Sequence, residues 1–198
     1  MDLSDEDILR QVQRGDKNAY MTLFDRHYAR VESYARRQTS NAEAARDIAS
    51  ETFVRAYRAV DSFRIGDGVP YLGYLLLICR RLVLTEQARQ RVVIIHSIEE
   101  NPSLAASLAD NDPLPLDRLL DSEREEMLRD ALDLLPADDR EIIHLAFQKG
   151  LSRKDIGAIL DKPTVSAVTS HLHRAMSKLK GIISRQGYFT MEQKSGRK

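Results

Sequence analysis

With 198 residues, 42% apolar content and 30 basic side chains balanced by 30 acidic ones, the chain is long enough to bury one sizeable core or two small ones. Its longest apolar run, 75–79 with the flank 71–74, stops at Arg80 and Arg81, short of the ~18 residues a membrane span needs. The acidic start MDLSDEDILR has no apolar signal core and the lone Cys79 excludes an internal disulfide or a multi-cysteine metal site, so a soluble cytoplasmic protein with no membrane association is expected.

The pattern is helical from residue 4 to residue 60. SDEDILRQVQRGD opens with Ser4 and Asp7 at capping-box spacing and closes on Gly15, a C-terminal stop. A second helix over about 17–39 places Ala19, Leu23, Phe24, Tyr28, Val31 and Tyr34 on one face. In the third, NAEAARDIASETFVRAY, Ala45, Ile48, Ala49, Phe53, Ala56 and Val60 form an apolar stripe, with Thr52 inside it. Glu43, Asp47 and Glu51 stack four apart on the other side, interrupted by Arg46. DSFRIGDGVP then punctuates the chain, and a fourth helix is expected over about 71–91.

Residues 92–121 mix acids with Pro102, Pro113 and Pro115 and sustain no helical period, which reads as an acidic linker, with VVII as an apolar anchor within it. The helical period returns at Ser122. SEREEMLRDALDLL ends at Pro136 and ADDREIIHLAFQKG at Gly150, LSRKDIGAILDKP carries a Ser152/Asp155 capping box, and TVSAVTSHLHRAMSKLKGII starts at Thr164. The last two are joined by about three residues, 161–163, the signature of a helix-turn-helix. The expected fold is therefore all-α: an N-terminal helical domain over 1–91, the linker over 92–121, a helix-turn-helix domain over 122–183, and a basic, unstructured tail over 184–198.

The zero net charge hides a partition: 15 bases and 13 acids in 1–91, 4 and 13 in 92–140, and 11 and 4 in 141–198. The basic excess coincides with the helix-turn-helix, whose second helix ordinarily enters the major groove while neighbouring cations hold phosphates. With Val165, Val168, Leu172, Ala175, Met176 and Leu179 turned inward, Ser166, Thr169, Ser170 and His173 become base or phosphate contacts, and Arg153, Lys154, Lys162, Arg174 and Lys178 phosphate contacts. His171 and His173, two apart, do not share a helix face, and no HExxH pattern supplies further ligands, so no metal is expected. There is no glycine-rich phosphate loop, nucleophile elbow or paired-carboxylate site, which argues against an enzyme and against a cofactor.

These residues resemble the small two-domain bacterial sigma factors of the extracytoplasmic-function (ECF) group. DEDILRQVQRGDKNAYMTLFDRHYARV and DIASETFVRAY are similar to the two parts of its core-binding domain. YLGYLLLICRRLVLTEQARQR resembles its minus-ten segment, and LLPADDREIIHLAFQKGLSRKDIGAILDKPTVSAVTSHLHRAMSKLK its minus-35 domain. The resemblance implies a non-catalytic factor that binds RNA polymerase core, reads promoter DNA and helps open it. Core binding would fall to Glu43, Arg46, Asp47, Ile48, Glu51 and Arg55, and minus-ten DNA to Phe63, Tyr71, Tyr74, Arg80, Arg81, Arg89 and Arg91. Minus-35 DNA would fall to Arg153, Lys154, Thr164, Ser166, Thr169, Ser170, His171, His173, Arg174 and Lys178. Stacking of a flipped base on the 63–71 segment would be worth ~1–3 kcal/mol. The linker would thread toward the polymerase active-site channel.

The departures from the family's pattern are specific. Tyr74, Arg81 and Thr85 stand where Trp, Asn and Asp are frequent, and Ser166, Ala167, Val168, Thr169, Ser170 and His171 replace glycine-threonine-valine-lysine-serine-arginine. Ala44, Ala45, Arg46 and Asp47 replace an acidic run that in the family faces a basic coiled-coil clamp on the polymerase. A kinase-regulated subgroup is similar in lacking that run, which implies control by a Ser/Thr kinase at Thr52, or secondarily Ser50, alongside the anti-sigma proteins that control other members. The competing readings are a stand-alone helix-turn-helix regulator and a polymerase-binding adaptor that no longer reads DNA.

Overall fold

The computed structural model describes residues 3–39, 41–66, 70–100, 122–148 and 150–185, and these form eight α-helices and one 3-10 turn with no strand among them. The chain divides into two units, residues 1–114 and 115–198. Much of the expected acidic linker, the glycine-rich residues 67–69 and residues 186–198 of the expected tail lie outside the described residues.

In the first unit, α1 (Asp5–Gln13) is capped by the Ser4 hydroxyl, which accepts from the Asp7 amide at 3.2 Å. It ends at Arg14, followed by Gly15 at φ +105°, a left-handed stop that a glycine adopts without a Cβ clash. α2 (Ala19–Gln38) packs on α1, and α3 (Ala42–Arg58), capped by the Asn41 carboxamide, packs on α2. Along the inward stripe of α3, Ala45, Ala49 and Ala56 are fully buried, and side chains this small let neighbouring backbones approach closely. A 3-10 turn (Val60–Ser62) takes Val60 out of α3, and α4 (Tyr71–Glu100) closes the core with Leu72, Leu75, Leu76, Cys79 and Val83. Burial pushes the Cys79 thiol up to about 12, so it behaves as a small apolar side chain.

Two expectations change here. α4 continues through VVII to Glu100, so these residues are helix rather than the opening of an extended linker. On α2 the buried residue between Leu23 and Val31 is His27, while Phe24 and Tyr28 are only half-buried. His27 is tolerated because its Nε2 lies 2.7 Å from Asp5 Oδ2, whose other oxygen accepts from Arg26 at 2.6 Å, fastening α1 to α2. Burial alone would raise the Asp5 pKa; the bonds from His27 and Arg26 outweigh it and hold the carboxyl below its ordinary value.

In the second unit, α5 (Ser122–Asp133), α6 (Ala137–Ala146) and α7 (Arg153–Ile159) all pack against α8 (Val165–Arg185). Arg140 clamps the α5–α6 turn by donating to the Asp133 and Leu135 carbonyls at 3.0 and 3.1 Å. The Ser152/Asp155 capping box is present at the start of α7. α6 stops at Ala146, earlier than expected, and Gly150, at φ +87°, lies in the turn that follows. Between α7 and α8 the chain reverses at Asp161, at φ +54°, with the Lys162 amide donating to the Gly157 carbonyl at 2.8 Å. Gly157 lies where α7 and α8 pack, and a Cβ there would make ordinary contact with the Val168 side chain at 3.4 Å. The core is built from Ile142, Leu145, Ile156, Ile159, Val168, Ala175 and Leu179, whereas Val165 and Met176, expected inward, are exposed.

Candidate functional site

Three helical surfaces carry the residues that the sequence singles out. On α3, Glu43, Arg46, Asp47, Ser50 and Arg55 are exposed and Glu51 is half-buried, so the acidic stack does lie on the outer face. Arg55 is committed to Glu51, Nε to Oε1 at 2.7 Å, which leaves Glu43 and Asp47 as the more available carboxylates. Ile48 is not a surface residue: it is 7% exposed and faces the core. Thr52 has no exposed surface, and its hydroxyl donates to the Ile48 carbonyl at 2.7 Å. The expectation that a kinase modifies Thr52 therefore fails for the folded chain, because the acceptor oxygen is sealed; Ser50, on the outer face, stays accessible.

The second surface begins before α4. The Gln13 carboxamide donates to the carbonyls of Val60 and Phe63 at 2.8 and 2.9 Å, anchoring the segment that presents Phe63. Phe63 and Tyr74, both half-buried, lie with ring centroids 4.9 Å apart, and Phe63 meets Tyr71 edge-on at 5.6 Å. Tyr71 itself is 3% exposed and donates to the Tyr20 hydroxyl at 3.0 Å, which in turn donates to the Phe53 carbonyl at 2.9 Å. Tyr71 is thus a supporting core residue and not the DNA contact expected of it. Burial drives the Tyr71 hydroxyl pKa well above the ordinary tyrosine value and that of Tyr20 up to about 12, so both stay protonated.

Further along α4, Arg80 is half-buried, while Arg81, Arg89 and Arg91 are exposed. Arg89 grips the Glu86 carboxylate with two nitrogens at 3.1 Å, and those bonds lower the Glu86 pKa. Arg81 and Arg91 remain the more open cations of the group.

The third surface is the outer face of α8. The Thr164 hydroxyl accepts from the Ala167 amide at 3.1 Å and so caps the helix. Ser166, Thr169, Ser170, His173 and Arg174 are exposed, as are Arg153 and Lys154 on α7, and Lys162 between the helices is half-buried. His171 departs from expectation. It is turned inward, with Nε2 2.9 Å from Asp139 Oδ1, and Lys178 Nζ lies 2.5 Å from Asp139 Oδ2. Asp139, at 5% exposure on the first turn of α6, went unnoticed in the sequence. Its partners are 32 and 39 residues away, which no local spacing reveals.

Among the described residues there is no group of His, Cys, Asp or Glu that could hold a metal, and no helix long and apolar enough to cross a membrane.

Residues 23–92 match the Sigma-70 region 2 family and residues 125–179 the Sigma-70, region 4 family. The chain is 32% identical over 185 residues to the ECF RNA polymerase sigma-E factor of Haemophilus influenzae, covering 91% of this chain and 96% of that one. The chain belongs to the ECF sigma factors. This sigma factor is thus a transcription initiation factor of the alternative class, directing RNA polymerase to promoters. Its fold is shared with CnrH, solved in complex with the cytosolic domain of CnrY (TM-score 0.62, 23% identity, 91% of this chain and 97% of that one). It is also shared with the sigma factor RpoE of Bartonella quintana, solved with the anti-sigma factor NepR (TM-score 0.61, 22% identity, 83% and 96%).

Proposed function

We propose that this sigma factor meets RNA polymerase core through the outer face of α3, with Glu43 and Asp47 as its principal acidic contacts and Arg46 weakening the patch. Minus-ten DNA is held by Arg81 and Arg91 on α4, with Arg80 and Arg89 in secondary roles, and a displaced base stacks on Phe63 and Tyr74. Minus-35 DNA is read by Ser166, Thr169, Ser170, His173 and Arg174 on α8, with Arg153, Lys154 and Lys162 on phosphate and Thr164 holding the helix start. The protein supplies no covalent chemistry of its own, needs no cofactor, and works in the cytoplasm beside the polymerase. The carrying observation is that α3 and α8 each expose a polar face of the required chemistry while burying the opposite stripe.

Fluorescence titration of the labelled full chain with polymerase core tests the first contact. The double variant Glu43→Lys, Asp47→Lys is expected to weaken binding at least tenfold, since each reversal replaces an attraction with a repulsion near the same partner. Binding equal to wild type would overturn the assignment of α3. Core binding without promoter-dependent transcripts would mark a polymerase adaptor, and operator binding without core a stand-alone regulator.

Control of this surface is assigned to Ser50, because Ser50 is exposed and Thr52 is sealed. A phosphate there adds about −1.5 to −2 charges beside Arg46, one helical turn away, and offsets it. Ser50→Glu should tighten core binding about 1.4- to 5-fold, the worth of one exposed charge pair; weaker binding would reverse the sign of the proposed control. An anti-sigma partner, of the kind solved with the structurally similar RpoE of Bartonella quintana, is the other regulator this chain is expected to meet.

A further inference from the structure

The outer face of α8 is defined by what its inner edge is tied to. His171 and Lys178 are seven residues apart, two helical turns, and so lie on one stripe. Each takes one oxygen of the same carboxylate: Asp139 Oδ1 lies 2.9 Å from His171 Nε2 and Oδ2 lies 2.5 Å from Lys178 Nζ. Asp139 is 5% exposed, so its charge is poorly shared with water and needs these two partners. The two bonds, sent from residues two turns apart to one carboxylate on α6, are directional and so oppose rotation of α8 about its own axis more than non-directional apolar contacts do.

We propose that Asp139 is a positioning residue for promoter reading. It fixes the rotational setting of α8, removes Lys178 and His171 from the groups that meet phosphate, and leaves Arg174 as the cation beside Ser166, Thr169, Ser170 and His173. Lys178 illustrates the point: its side chain is 55% exposed, so by surface alone it would count as a phosphate contact, yet its ammonium is already neutralised. The inference rests on the assignment of α8 to DNA and adds which of its cations are used.

The test is the salt dependence of binding by RNA polymerase core loaded with the full chain to a 40-bp duplex of mixed sequence, with core alone subtracted. Each phosphate contact contributes about 0.9 to the slope of log K against log salt. Arg174→Ala is expected to flatten the slope by about 0.9, Lys178→Ala to leave it at the wild-type value, and Asp139→Asn to steepen it by about 0.9 as Lys178 is released. A Lys178→Ala slope as flat as that of Arg174→Ala would overturn the proposal, as would an Asp139→Asn slope equal to wild type. Should Asp139→Asn fail to fold, Lys178→Ala, which alters an exposed stem, still decides between the outcomes. Failure of the loaded chain to bind core at all would instead count against the sigma assignment of α3, and is read separately in the core titration.

Discussion

Thr52 on α3 and His171 on α8 are both polar residues on the inner side of a helix whose outer side carries proposed contacts, and the two are satisfied in different ways. The Thr52 hydroxyl donates to the Ile48 carbonyl of its own helix, one turn back, so its proton needs no acceptor on another element. The His171 ring needs an acceptor that its own helix does not offer and finds it on Asp139 of α6. A locally satisfied group adds no information about how helices are set against each other. A group satisfied from another helix fixes that setting, as Asp139 does for His171 on α8 and as the Tyr20 hydroxyl of α2, bonded to the Phe53 carbonyl, does for α3.

The largest expected effect breaks the Thr52 side of the comparison. Thr52→Glu places a carboxylate where no solvent reaches and should destabilise the chain by about 3–5 kcal/mol. Urea unfolding followed by circular dichroism reads this directly. Thr52→Val keeps the shape and removes only a locally satisfied hydroxyl, so its cost should stay within about 1 kcal/mol. If the glutamate variant folded with wild-type stability, α3 would open readily and Thr52 would return as a modification site.

The same contrast explains what the sequence made legible. The helices, their caps at Ser4, Ser152 and Thr164, the helix-turn-helix and the outward faces of α3 and α8 follow from spacings of three and four, which are local. Tyr71 and His171 were misplaced because their partners, Tyr20 and Asp139, are 51 and 32 residues away. The family resemblance implied DNA contact for both; only tertiary contact shows that these two point inward. Ile48 differs: the resemblance implied a role in core binding, although its own apolar spacing already placed it in the core. The run of α4 through VVII was hidden because β-branched residues followed by acids and prolines weaken the helical period from outside.

Asp139 is the next point at which the comparison can be sharpened. Asp139→Ala leaves His171 Nε2 without its acceptor, while His171 Nδ1 is already buried without a partner among the described residues, and the cost should be about 1–3 kcal/mol. The pH dependence has a definite sign. Burial by itself would raise the Asp139 pKa; the bonds from Lys178 and His171 outweigh it and hold the folded value below 3.8. A carboxyl with a depressed folded pKa contributes stability that is complete above the unfolded value and lost as pH falls through the folded one. The part of the stability gap between wild type and Asp139→Ala that comes from the carboxylate's charge should therefore be complete above about pH 4 and shrink below it. A gap that widened as pH fell below about 4 would mean that the carboxylate is not the stabilising partner.

The smallest effect separates the anchor from the turn as the device that sets α8. Asp161 adopts φ +54°, a left-handed conformation that a short polar residue tolerates and a β-branched one does not. Asp161→Val should cost about 1–2 kcal/mol in unfolding experiments, and Asp161→Gly should cost nothing, because glycine adopts this conformation without strain. If the turn merely reverses the chain, Asp161→Val lowers stability while the salt slope of DNA binding stays at the wild-type value, since α8 is still held by Asp139. A slope altered by Asp161→Val to the extent expected of Asp139→Asn would place control of the reading face in the turn. The contrast between the locally satisfied Thr52 and the anchored His171 would then lose its meaning for α8.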